Sequence, residues 1–87
     1  MFNTISVVGL GYIGLPTAAL FAASGCTVIG VDVNPHVVDT VNDGRIHIVE
    51  PELSGVVHHT VTQGKLRASL TAEPASAYLI AVPTPVR

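Results

Sequence analysis

Short hydrophobic runs alternate with turn-forming residues along the whole of this chain. The first run, Ile5 to Val8, is rich in β-branched residues, which is typical of a buried strand. Similar runs at residues 27–31, 66–70 and 78–82 predict three further strands. The last of them is continuously apolar, as in a strand of a parallel sheet that is buried on both faces. In a complete fold further strands would cover it, so as a free piece it would show an apolar edge.

Helical spacing of apolar residues predicts three helices between these strands, at about residues 13–24, 35–42 and 51–63. Pro16 falls in the first turn of the first helix, where the missing N–H costs little, and Gly25 marks its end. The order is therefore β-α-β-α-α-β-β. Right-handed crossovers would give an α/β fold with a parallel sheet in the strand order 3-2-1-4.

Three glycines follow the first strand with the spacing G-x-G-x-x-G. Gly9 permits a tight turn, Gly11 lets the backbone approach a pyrophosphate, and Gly14 lets the helix pack closely on the strand. Free N–H groups near Tyr12 and Ile13, at the positive end of the helix dipole, would attract an anion. The pattern predicts the N-terminal half of a doubly wound, dinucleotide-binding Rossmann domain spanning residues 1–87.

Asp32 ends the second predicted strand, where a carboxylate can accept hydrogen bonds from an adenosine ribose. Its charge would repel a 2′-phosphate, so the predicted cofactor is NAD rather than NADP. The alternative is a turn residue or a cap for the helix that begins near Asn34 and Pro35.

The fourth strand runs into Pro83, Thr84 and Pro85, which end the strand pairing. Thr84 would then be held at the carboxyl edge of the sheet, where ligands of open α/β sheets bind. A simple strand terminator is the alternative.

The composition is 48% hydrophobic and 11% charged, with a mean hydropathy of +0.56. Such an apolar chain is either membrane-bound or a piece of a larger protein. No run approaches the roughly 18 uninterrupted apolar residues of a spanning helix, and no signal peptide is evident, so we expect a fragment of a cytoplasmic protein with no membrane partner. The net charge of −2, without a basic stripe, argues against nucleic acid.

The single cysteine, Cys26, excludes an internal disulfide and fits a reducing compartment. His58 and His59 are adjacent in a predicted helix, so their side chains point about 100° apart and do not form an i, i+4 metal pair. We expect no metal site.

Four segments of the chain, GLGYIGLPTA, VIGVDVN, IHIVEPEL and LIAVPTP, resemble the N-terminal part of the UDP-glucose/GDP-mannose dehydrogenase family. The resemblance implies an NAD-dependent enzyme that oxidises the C6 hydroxyl of a UDP-sugar to the carboxylate with two NAD, and RIHIVEPEL points to UDP-N-acetyl-D-mannosamine. It also implies a catalytic cysteine, with assisting lysine, asparagine and acidic residues, outside these 87 residues. Cys26 does not match it, so no catalytic residue is expected here. The parent enzyme is expected to be a homo-oligomer.

The resemblance also implies roles for individual residues. Gly9, Gly11 and Gly14, with the backbone of Tyr12 and Ile13, would hold the pyrophosphate. Asp32 would bind the adenosine ribose and Val33 would border the adenine, whereas Pro83 and Thr84 would line the nicotinamide-side ribose. Glu50 and Pro51 match a family block whose simplest role is to cap the next helix.

Other classes stay open from the sequence alone. The chain could be a non-catalytic module that senses NAD, or a flavin site, since flavoproteins also combine a glycine triplet with an acid after the second strand. It could also be an inactive truncated fragment of such an enzyme.

Overall fold

The computed structural model describes residues 4–81. Its elements are β1 (Thr4–Val8), α1 (Gly14–Ala23), β2 (Thr27–Val31), α2 (Pro35–Asn42), α3 (Leu53–Thr62), β3 (Leu66–Ser69) and β4 (Ala77–Ile80). The strands form one parallel sheet in the order β3-β2-β1-β4. The predicted α/β class and strand order are confirmed.

The hydrophobic core lies between one face of the sheet and the three helices. Alternate strand residues enter it, with Ile5 and Val7 from β1 and Leu66 and Ala68 from β3. Helix α1 faces them with small side chains, which let it pack closely on the sheet (Ala18, Ala19 and Ala22). The period-two strand pattern and the 3.6-residue helix pattern therefore meet in a single core.

An amide side chain forms hydrogen bonds with the outer edge of β3. Asn42, at the end of α2, donates from Nδ2 to the Ala68 carbonyl (3.0 Å) and accepts at Oδ1 from the Ala68 amide (2.7 Å). These bonds satisfy part of the strand edge and tie α2 to the sheet.

The segment between β3 and β4 is fixed by contacts of its own. Arg67 forms an ion pair with Glu73, and the Tyr78 hydroxyl accepts a hydrogen bond from the Ala75 amide (3.0 Å) and donates one to the Glu73 carbonyl (3.2 Å). The hydrogen bond between the charged side chains is the largest cause that raises the pKa of Arg67 and lowers the pKa of Glu73. Because the pair is solvent-exposed, it positions this segment more than it stabilises the fold.

Strand β4 is more exposed than its sequence predicts. Tyr78, Leu79 and Ile80 are 52%, 37% and 73% exposed, so the prediction of a strand buried on both faces is wrong for this chain. The reason is position, since β4 is an edge of the sheet and pairs only with β1 within residues 4–81. The apolar edge that the sequence predicts for a free piece is confirmed, and such an edge is a surface that other protein normally covers.

The start of α3 also differs from the prediction. No side chain caps this helix, and Glu50 contributes only its carbonyl, which accepts from the Leu53 amide (2.9 Å). The expected capping role of the Glu50 side chain is therefore wrong. Across residues 4–81, the helices are all too short or too polar to cross a membrane.

Candidate functional site

A cleft of about 310 Å³ opens at the carboxyl edge of the sheet, above the ends of β1 and β2. Four residues predicted from the sequence lie together in its wall, namely Gly9, Gly11, Asp32 and Val33. Val33 is 89% exposed, and the remaining lining residues are Val8, Leu10, Val31 and Ala81. The topology therefore brings the end of the glycine turn and the end of β2 into one site.

The glycine turn, residues 9–14, is tied to the sheet at its first residue. Gly9 has a φ of +98°, a backbone conformation that favours glycine, and its N–H donates to the Val31 carbonyl at 2.7 Å. At the other end of the turn, a Cβ on Gly14 would lie 1.5 Å from the Gly9 carbonyl oxygen. Only glycine at position 14 allows α1 to begin directly against the turn.

The middle of the glycine turn offers unpaired hydrogen-bond donors. The amides of Gly11, Tyr12 and Ile13 donate to no acceptor within residues 4–81. Helix α1 begins at Gly14 with neither a side-chain cap nor an acidic residue in its first turn. A Cβ on Gly11 would meet no atom within 4 Å, so this backbone is open to a close approach. Free amides at the positive end of a helix dipole attract an anion such as a phosphate.

The Asp32 carboxylate accepts two backbone hydrogen bonds. Oδ2 accepts from the Leu10 amide and Oδ1 from the Asn34 amide, both at 3.0 Å. Each oxygen keeps a second acceptor position, so hydroxyl donors can still bind. The cap of α2 is Asn34, whose side chain accepts from the His36 amide at 2.9 Å. Asp32 therefore does serve the local turn, while the helix cap is a different residue.

Two further residues shape the site and were not predicted from the sequence, namely Leu10 within the glycine turn and Gly30 beneath it. The Leu10 side chain is fully buried, and it occupies the space above Gly30 in the middle of β2. A Cβ on Gly30 would lie 2.7 Å and 2.9 Å from the two methyl carbons of Leu10. The one signal in the sequence is a glycine inside a β-branched strand, which often marks a close approach by another group.

Replacing Gly30 with alanine should lower the free energy of unfolding by about 1–3 kcal/mol, because the new methyl group overpacks the enclosed Leu10 side chain. Chemical denaturation of wild type, Gly30→Ala, Leu10→Ala and the double variant measures this. Since Leu10→Ala vacates the space, the double variant should lose at least about 0.5 kcal/mol less than the sum of the single losses. Additive losses would show that the contact is unimportant.

The remaining predicted residues fall outside this cleft. Tyr12, Ile13 and Gly14 belong to the same turn but do not line it, and Pro83 and Thr84 lie outside the described residues. Cys26 is half-buried against the core, and His58 and His59 are exposed. Within residues 4–81, no three His, Cys, Asp or Glu side chains are grouped closely enough to hold a metal ion.

Comparison with known proteins gives consistent matches. Residues 3–87 match the model of the UDP-glucose/GDP-mannose dehydrogenase family, NAD binding domain. The chain is 66% identical to NDP-N-acetyl-D-galactosaminuronic acid dehydrogenase of Ralstonia nicotianae and 64% identical to UDP-N-acetyl-D-mannosamine dehydrogenase of Escherichia coli K12, over 97% and 99% of its length. It spans 20% of each relative.

The fold also matches solved structures. The structure of UDP-N-acetyl-mannosamine dehydrogenase from Staphylococcus aureus superimposes with a TM-score of 0.91 at 48% sequence identity. That match covers 94% of this chain and 20% of the other. The similarity therefore extends beyond the motifs to the fold of 94% of the chain.

Proposed function

Since the chain belongs to the UDP-glucose/GDP-mannose dehydrogenase family and matches its NAD-binding domain, we propose that it is the NAD-binding segment of a nucleotide-sugar 6-dehydrogenase. NAD is its cofactor, and family membership favours NAD over a flavin. The parent protein would oxidise the C6 hydroxyl of a UDP-sugar to the carboxylate with two NAD. UDP-N-acetyl-D-mannosamine is the proposed sugar, supported by the RIHIVEPEL segment and by the matches to the Escherichia coli and Staphylococcus aureus enzymes. The 66% identity to the Ralstonia nicotianae enzyme makes an N-acetyl-D-galactosamine-type sugar the second candidate.

The residues of the cleft and of the glycine turn fit this cofactor. The Gly11, Tyr12 and Ile13 amides would hold the pyrophosphate, and the absence of a Cβ at Gly11 leaves room for it. Asp32 would accept hydrogen bonds from the adenosine ribose, with Val33 beside the adenine. Gly9 and Gly14 would shape the turn, while Pro83 and Thr84 would line the nicotinamide-side ribose. When bound, NAD supplies the hydride acceptor.

The parent would carry the catalytic cysteine and most of the sugar-binding groups outside residues 1–87, which we propose to be the N-terminal half of a Rossmann domain. Matches that span one fifth of their relatives support this division. We also propose that the parent is a cytoplasmic homo-oligomer and that this segment makes no contact with nucleic acid or membrane.

One observation carries the proposal. Gly11, whose amide is unpaired, and Asp32 line the same cleft, and the unpaired amides of Tyr12 and Ile13 follow directly in the turn, so donors for a diphosphate lie near an acceptor for ribose hydroxyls. An NAD site requires both chemistries at neighbouring positions.

Calorimetry on the full-length protein tests the cofactor choice. NAD should bind at least about tenfold more tightly than NADP, a difference of about 1.4 kcal/mol, because the Asp32 carboxylate repels the 2′-phosphate. Asp32→Ala should narrow this preference. Asp39→Ala, which removes an exposed carboxylate from α2, should leave the preference for NAD over NADP unchanged. Equal affinities of the wild type for NAD and NADP would refute the role of Asp32, and no binding of NAD would refute the proposed function.

A further inference from the structure

Leu10, the residue between the first two glycines of the turn, is held from two sides. Its side chain is fully buried above Gly30. Its amide donates to Asp32 Oδ2 at 3.0 Å, across 22 residues of sequence. The neighbouring Gly9 amide is bonded to the Val31 carbonyl, immediately before Asp32. The end of β2 thus fixes the first two residues of the glycine turn.

We infer that Asp32 is a positioning residue for the glycine turn, in addition to its proposed contact with the ribose. It acts through the Leu10 amide and so orients the unpaired donors that follow at Gly11, Tyr12 and Ile13. The inference rests on the proposed function, because those donors matter only if they bind phosphate.

The bonding pattern distinguishes this role from simple ribose recognition. A carboxylate that served only a ligand would not need protein donors on both oxygens, yet Asp32 accepts from Leu10 on one and from Asn34 on the other. Hydrogen bonds from backbone amides to a charged acceptor are the stronger kind. The carboxylate therefore links the turn before α1 to the turn before α2 in the ligand-free protein.

A consequence is that the adenosine and phosphate subsites share one acidic residue. Its charge alone disfavours a nearby anion, whereas its bond to Leu10 orders the amides that bind the anion. The two effects have opposite signs, so the direction in which pyrophosphate affinity changes on removal of Asp32 shows which of them is larger. A ligand with phosphates but no ribose reports on the turn alone.

The experiment measures binding of inorganic pyrophosphate to the full-length protein by calorimetry, for wild type, Asp32→Ala and the matched control Asp39→Ala. Asp32→Ala should bind pyrophosphate at least about threefold more weakly, although the variant has lost a negative charge, because the lost hydrogen bond leaves the turn amides less ordered. Asp39→Ala should match the wild type. The affinity for NAD should fall by a larger factor than the affinity for pyrophosphate, because NAD also loses the ribose contact.

Hydrogen exchange supplies a readout that a general structural defect would not reproduce. In Asp32→Ala, exchange should accelerate in the peptide covering residues 9–13, while amides in the middle of β1 and β2 keep their wild-type rates. Pyrophosphate affinity equal to or higher than that of the wild type, or uniform acceleration across the sheet, would overturn the inference. Either result would leave the proposed function intact if the wild type still binds NAD in preference to NADP.

Discussion

Gly14→Ala should unfold most of the protein or displace the glycine turn, with a loss of more than about 3 kcal/mol in the free energy of unfolding. The added Cβ would lie 1.5 Å from the Gly9 carbonyl oxygen and 2.7 Å from its carbon, distances that only a backbone shift can relieve. Because α1 packs on β1 and β2 through small residues, moving the helix away opens the core. In the full-length protein the melting temperature should fall by roughly 6 °C or more, because larger domains shift by about 2–4 °C per kcal/mol.

Gly55→Ala is the matched control for that variant. Gly55 also lies in a helix, α3, but a Cβ there would meet no atom within 4 Å. Since alanine is the better helix former, this variant should be as stable as the wild type or up to about 1 kcal/mol more stable. Thermal and chemical denaturation of both variants test the argument. Equal melting temperatures for Gly14→Ala and wild type would show that the close contact at Gly9 is not required.

The fold was predictable because most of its determinants are local. Short β-branched or continuously apolar runs, together with the helical spacing of apolar residues, located all seven elements, and Gly25 ended α1 where expected. Strand order followed from the handedness of crossover connections rather than from any residue. The apolar edge at β4 was predictable for a piece without the strands that would follow, but the exposure of the β4 faces was not, because an apolar run has the same sequence whether or not another element covers it.

The candidate site also combines features that the sequence predicts with contacts that it does not predict. The glycine spacing and the acid after β2 are sequence signals with a known geometric meaning, and the structure brings Gly9, Gly11 and Asp32 to one cleft. The packing of Leu10 on Gly30 and the bond from Leu10 to Asp32 were not predicted. Both join residues about 20 positions apart, so they depend on how β1 and β2 are placed side by side, which the pattern within a single segment does not reveal.

The two ends of the glycine turn therefore have different physical tasks. Gly9 and Gly14 touch each other and are needed for folding, whereas Gly11 touches nothing that a methyl group would disturb. No contact among the described residues requires glycine at the middle position, whereas the proposed pyrophosphate would require it. A substitution at Gly11 should therefore weaken the binding of NAD without lowering the stability of the fold.

Gly11→Ala should fold normally and bind NAD at least about tenfold more weakly. Its backbone is not in the left-handed region, and its Cβ would meet no atom within 4 Å, so the melting temperature should stay within about 2 °C of the wild type. The methyl group would stand where the pyrophosphate approaches the backbone and would lengthen hydrogen bonds from the turn amides. Loss of one such bond to a charged group corresponds to about 1.5–3 kcal/mol, or roughly 10- to 150-fold in affinity.

The size dependence of this effect identifies its cause. Gly11→Val should bind NAD more weakly than Gly11→Ala, because a larger side chain keeps the phosphates further from the amides, whereas Gly55→Ala should bind as the wild type does. Calorimetry gives the affinities, and thermal denaturation of the same samples confirms folding. If Gly11→Ala and Gly11→Val were folded and bound NAD with wild-type affinity, the pyrophosphate would not rest on this turn. The cleft between β1 and β2 would then need a different occupant.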